Sequence, residues 1–166
     1  MDALYSYNKN KAVHYAKKWA LSRNPNYADF EKMGGDCTNF ASQVVHAGGC
    51  PMNYGKYGWH YKNLNTRSAA WTSVQYLYEF VINNNSMGPI AHETDLYHIE
   101  IGDLVQIQFQ NSNHYGHTLI IVDILPGHRT LDHILIASHS IDRLYYPVSN
   151  YNLKEVRLIH INGFKK

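Results

Sequence analysis

Gly34-Gly35-Asp36-Cys37-Thr38-Asn39-Phe40-Ala41-Ser42-Gln43-Val44-Val45-His46-Ala47-Gly48-Gly49 is the stretch around which the chain organises itself. Cys37, Phe40, Ala41, Val44 and Val45 recur at i, i+3, i+4, i+7 and i+8, the spacing of one apolar helix face that begins at the cysteine itself. Gly34 and Gly35 allow a sharp turn, Asp36 is a good N-cap, and Gly48-Gly49 closes the helix at its far end. A helix is predicted from Cys37 to Ala47, with the thiol on its first turn. There the positive end of the helix dipole and free backbone N–H groups favour thiolate over thiol. The same N–H groups can receive the oxyanion of a tetrahedral intermediate, with Asp36 and Thr38 supporting the nucleophile from either side. The alternative is that Cys37 is a small hydrophobe at the head of a core helix.

Working outward, Ala12, Ala16, Trp19 and Ala20 recur at helical spacing between Asn10 and Ser22, and Arg23-Asn24-Pro25 stops the run. A third helix is predicted from Ser68 to Ile82, with Trp71, Val74, Tyr78 and Val81 on one face and the cluster Asn83–Pro89 as its end. Beyond it the period changes. Val105, Ile107 and Phe109 alternate with Gln106 and Gln108, while His117–Val122, Ile134–His139 and Val156–Ile161 are short apolar strands. Helices followed by a run of strands predict an α+β fold, N-terminal helices packed on a C-terminal antiparallel sheet. No repeat or Pro/Ser-rich linker divides residues 1–166, so one domain is expected.

A thiolate needs an imidazole within reach, and the imidazole needs an orienting partner. His117 opens one strand and His139 closes another. If the two form a hairpin centred on His128, Val122 faces Ile134 and His117 faces His139 at its open end. His117 would then be the general base and His139 the residue that fixes its tautomer. Asp142 is the rival third member. His114-Tyr115-Gly116-His117 is an H-x-x-H with no adjacent glutamate base, a weak zinc signal, and no metal is assigned. Cys50, between Gly49 and Pro51, reads as structural, with a disulfide to Cys37 as the remote alternative. Trp59, His60 and Tyr61, in the aromatic, glycine-rich stretch Asn53–Tyr61, either line a substrate cleft or pack the loop onto the core.

Composition narrows the remaining classes. Apolar residues are 45% and charged residues 17%, a balance that folds rather than stays disordered. A net charge of +2 gives no nucleic-acid footprint, and no phosphate-binding glycine loop or cofactor motif is present. Leu119-Ile120-Ile121-Val122 is the longest strictly apolar run, far short of a bilayer span. No signal-peptide pattern opens the chain, so an exported protein would be represented here by a mature form or an excised domain.

Tyr7-Asn8, Ala12-Val13, Tyr15-Ala16, Trp19-Ala20, Arg23-Asn24-Pro25, Tyr27, Phe30 and the block Gly34–Phe40 with Ser42-Gln43 resemble the Putative amidase domain family of Gram-positive bacteria. Ala47-Gly48-Gly49, Trp71, Gly102-Asp103-Leu104-Val105-Gln106, His117-Thr118 and His139-Ser140 with Asp142 extend the resemblance to Ile161. That family is similar to NlpC-like peptidases and CHAP amidases of the cell wall, which share a papain-like core. The resemblance implies Cys37 as nucleophile, His117 as base and His139 as third member. It also implies amide-bond hydrolysis in peptidoglycan stem peptides and a place outside the cell or in its envelope. Two departures stand out. NlpC-like enzymes usually read Asp-Cys-Ser-Gly where Thr38-Asn39 stands here, and Glu31 occupies the position of the papain-type oxyanion glutamine. The competing expectations are a catalytically idle module that binds cell wall or a partner, and a zinc protein.

Overall fold

Asn8 starts the first helix by accepting the Lys11 N–H on its side-chain oxygen at 3.0 Å. The computed structural model describes residues 3–166. Helix α1 (Lys9–Trp19) buries Ala12, Val13 and Ala16 against α2 (Cys37–Ala47), which has the predicted bounds. The third predicted helix is two. α3 (Ala69–Thr72) stops at Ser73, whose backbone is extended and whose hydroxyl caps α4 (Val74–Asn83). A serine offers the backbone a capping bond in place of the next helical turn, which is why the helical spacing across residue 73 does not give one helix. A two-stranded ribbon, β1 (Tyr61–Asn63) and β2 (Thr66–Arg67), precedes α3.

The remaining strands are β3 (Gly88–Thr94), β4 (Leu104–Phe109), β5 (His117–Ile124), β6 (Ile134–Ser138), β7 (Arg143–Pro147) and β8 (Leu153–Lys165). They form one antiparallel sheet in the order β3-β8-β4-β5-β6-β7. The α+β expectation is met. The two strands that alternation does not predict, β3 and β7, are its two edges. Each carries a proline (Pro89, Pro147), which an edge strand tolerates and a central one does not.

Both faces of the sheet are covered. Leu104, Ile120, Val122, Ala137 and Ile159 lie under the helices with Phe40, Val44, Trp71 and Leu77. Val105, Ile107, Leu119, Ile121 and Ile136 lie under Ile99, Val148 and the segments around them. A strand buried on both sides needs no polar alternation, and this accounts for the unbroken run Leu119–Val122.

The β5–β6 register differs from the symmetric hairpin. Ile120 pairs with Ala137 and Ile121 with Ile136, but Asp123 pairs with Leu135, leaving Val122 as an inserted residue. At the turn end Ile124 faces Ile134, a slip of two from the symmetric register, and the bulge takes one residue back, so Ile120 faces Ala137 rather than Ile136. The net slip is odd, and an odd slip exchanges faces. His139 therefore follows Ala137 to the helix side, where it stacks on Phe40 at 3.9 Å between ring centroids. His117 falls with Ser138 on the other alternation.

Candidate active site

Cys37 is the first residue of α2 and only 7% exposed. The next residue anchors the helix to the sheet: the hydroxyls of Thr38 and Thr118 are 2.9 Å apart, so Cys37 and His117 flank one buried hydrogen bond. Burial pushes the thiol above its ordinary range. Bonding to the Thr118 backbone N–H and to the hydroxyl and N–H of Thr38 works against this, and the Asp36 carboxylate adds to the rise. The resting sulfur is thus a thiol. The lowered pKa expected from the helix end alone does not result, because enclosure outweighs the dipole. Thr38 adjoins the sulfur with its hydroxyl at 3.7 Å as well as bonding to Thr118, whereas the Asp36 carboxylate is taken by His139, Asn39 and the Phe30 N–H.

His117 opens β5 with Nε2 at 3.0 Å from Ser138 Oγ. Ser138 donates its single proton to the His139 carbonyl at 2.7 Å. Toward His117 it can only accept, so Nε2 carries the hydrogen and Nδ1 keeps the lone pair of a base. Phe109 and Tyr151 pack beside the imidazole, and burial pushes its pKa down to about 4, leaving a neutral base. The Tyr151 hydroxyl lies next to Ser138, buried and without a hydrogen-bond partner of good geometry. Burial raises that phenol to about 12, so it remains a donor.

The depressed pKa of His117 has a consequence for stability. Unfolded, the imidazole titrates near ~6.5, so protons bind the unfolded chain more readily than the folded one. Its full contribution is present above pH ~6.5 and is lost as pH falls toward 4, by about 3 kcal/mol. Urea unfolding at a series of pH values should show this slope in the wild type and a much flatter one in His117→Gln. Parallel profiles would contradict the buried, neutral assignment.

His139 is placed elsewhere than in the expected triad. Its Nδ1 is 2.5 Å from Asp36 Oδ2 and its Nε2 2.7 Å from the Trp19 carbonyl. A carbonyl only accepts, so Nε2 donates. For Asp36, burial alone would raise the carboxyl; hydrogen bonds from His139, the Phe30 N–H and Asn39 outweigh it and hold the group below the usual carboxylate range. Asp36 is thus held as a carboxylate against the Nδ1 of His139, in a buried hydrogen-bonded pair whose members are each 1% exposed. Asp142 does not reach His117 either; it takes Arg23 at 2.9 and 3.1 Å. Ser138 occupies the place next to His117 that was expected for His139 or Asp142, because the Val122 bulge turns His139 toward α2.

Trp59 and Tyr61 are core residues rather than cleft walls. The Trp59 indole packs on Trp71 and donates to Ser42, and the Tyr61 hydroxyl accepts the Ala28 N–H at 2.7 Å. His60 alone of the three reaches a surface groove, shared with Tyr57, Arg67 and Tyr76. His114 is exposed and bonded to Ser112 rather than turned toward His117. Among the described residues no three His, Cys, Asp or Glu side chains converge as a metal site would require. Cys50 is a free, fully buried thiol that burial pushes up. Ser138 and Tyr151 are the site residues that the sequence does not single out, and Thr118 enters there only beside His117 in the family resemblance. Ser138 adjoins His139 in the chain, and only the bulge shows which of the two meets His117.

Two uncharacterized proteins of Bacillus subtilis (strain 168) are similar to this chain. YhbB is 32% identical over 122 residues, 71% of this chain and 38% of its own length. YjcM is 24% identical over 156 residues, 90% of this chain and 34% of its own length. The chain thus spans little more than a third of the length of the curated relatives it matches. No solved structure matches it. No helix is long and apolar enough to cross a membrane among the described residues. The Putative amidase domain family matches residues 6–161, with the Gly-Gly-Asp-Cys turn, the His-Thr strand start and the strands between them all inside the match, and the chain belongs to that family.

Proposed function

We propose that the chain is a cysteine-dependent amidase or peptidase in which Cys37 attacks the carbonyl carbon, His117 is the base and Ser138 orients the base. The observation that carries this reading is the Ser138 bond to His117 Nε2, which leaves a neutral imidazole with its lone pair on Nδ1, two sequence neighbours away from Cys37 across the Thr38–Thr118 bond. The family's amidase description supports the reaction class. A papain-like core is supported by the order of parts: a cysteine heading a helix, a histidine opening a strand, and a polar residue on the next strand.

In this mechanism His117 Nδ1 takes the thiol proton as sulfur bonds to the carbonyl carbon. Backbone N–H groups at the start of α2 receive the oxyanion, and the Tyr151 hydroxyl is the second donor. His117 then gives its proton to the leaving amine as the C–N bond breaks. Water, losing a proton to His117, attacks the thioester and restores the thiol. Because Cys37 and His117 are both neutral at rest, proton transfer accompanies attack rather than preceding it. A peptidoglycan stem peptide is the proposed substrate, which would put the chain at the cell envelope.

The test is hydrolysis of a peptide pool that includes stem peptides, followed by mass spectrometry before and after carboxamidomethylation of Cys37. Matched amine and acid products that vanish on modification are expected. Cleavage undiminished by complete Cys37 modification would remove the reading.

A further inference from the structure

One side-chain row crosses the sheet at the level of the α2 N-terminus. Arg157 on β8 pairs with Gln106 on β4, which pairs with Thr118 on β5, so the three share the helix-facing side of adjacent strands. They are joined. Gln106 donates to the Thr118 hydroxyl at 3.2 Å and to the Val74 carbonyl at 2.9 Å. Its oxygen accepts from Arg157 Nε at 2.8 Å and Nη2 at 2.6 Å. Arg157 Nη2 also donates to Gln75 at 3.1 Å. The guanidinium is sandwiched between Tyr78, 3.6 Å from the ring centroid, and Tyr115, 4.0 Å.

These contacts fix the cation without neutralising it. Every acceptor it uses is an amide oxygen, and no carboxylate lies within ion-pair distance among the described residues. The nearby acids stay outside ion-pair distance and bond to other groups, Glu93 to the Tyr78 hydroxyl, Glu155 to the Tyr115 hydroxyl and Glu79 to Gln75, so they temper the field of the cation without pairing with it. Arg23, by contrast, is ringed by Asp29, Glu31, Asp36 and Asp142. Arg157 Nη1 has no protein partner and is not sealed from solvent. A planar donor group locked in orientation, with one edge open and its charge unpaired, suits an incoming carboxylate.

We propose that Arg157 is the receptor for a substrate carboxylate, making acidic peptides the substrate class of the Cys37 site; this rests on reading Cys37 as the nucleophile. Arg157 and Thr118 are two strand spacings apart, roughly 10 Å, and an extended peptide advances ~3.3 Å per residue. The carboxylate therefore sits about three residues from the amide under attack. A chain terminus and an acidic side chain present the same group.

The test is an NMR titration of the isotope-labelled chain with three probes: N-acetyl-alanyl-alanine, its C-terminal amide, and N-acetyl-alanyl-glutamic acid amide. Saturable shifts of the Arg157 Nε–H and of the Tyr78 and Tyr115 rings are expected with a carboxylate-bearing peptide. Affinity should drop on the order of tenfold with the neutral amide and with Arg157→Gln, and less with Arg157→Lys. The first and third probes separate a terminal from a side-chain carboxylate. Equal response to acid and amide in the wild type, no response to either, or acid binding unchanged in Arg157→Gln overturns the proposal. Cleavage blind to the carboxylate would remove the receptor and leave the hydrolase; carboxylate binding at Arg157 without any cleavage would do the reverse.

Discussion

Cys37→Ala and His117→Ala should each lower kcat/KM for peptide hydrolysis by on the order of 10³-fold or more, and the double variant should be no worse than the poorer single one. In the proposed mechanism nucleophile and base act on one proton, so removing either removes the same step. Additive losses would mean that the two residues serve different steps. Tyr151→Phe should cost less, on the order of 10²-fold in kcat with KM little changed, because only one of the oxyanion donors is lost. Its hydroxyl has no partner in the resting fold, so the phenylalanine variant should be no less stable. The acid limb of kcat/KM should lie near pH 4 rather than near ~6.5, since burial has already moved His117 down.

The second large effect is on stability. Asp36→Ala or His139→Ala strands one member of a fully buried pair that holds the Asp36 carboxylate, a loss of about 3–5 kcal/mol. At this chain length that lowers Tm by on the order of 10 °C. The double variant should lose less than the two singles together, because no uncompensated charge remains. Thermal unfolding reads this directly. At a temperature where His139→Ala is fully folded, its kcat should stay within about tenfold of wild type. A loss as large as that of His117→Ala, with Tm unchanged, would return His139 to the catalytic triad and displace Ser138.

That distinction marks where the sequence stops being readable. The apolar spacing from Cys37 to Val45 is local, and α2 has the predicted bounds. Alternation likewise places the central strands, whose residues pack on both faces. Register is not local: one inserted residue at Val122 decides whether Ser138 or His139 meets His117, and nothing in the residue types around it marks the bulge. The edge strands escape detection because Pro89 and Pro147 read as breakers. Trp59 and Tyr61 show the limit from the other side, since a loop rich in aromatics has the same composition whether it lines a cleft or fills a core. The direction of the Cys37 shift depends on enclosure by distant segments, which the helix start cannot report.

The most direct measurement is intact mass spectrometry of the chain mixed with a cleavable acidic peptide and quenched in acid at successive times. The account predicts a transient gain equal to the acyl portion of the substrate. It should map to the peptide containing Cys37, be released by hydroxylamine, and be absent from Cys37→Ala and from Cys50. Turnover with no such adduct at any quench time, or an adduct on another residue, would contradict Cys37 as the nucleophile.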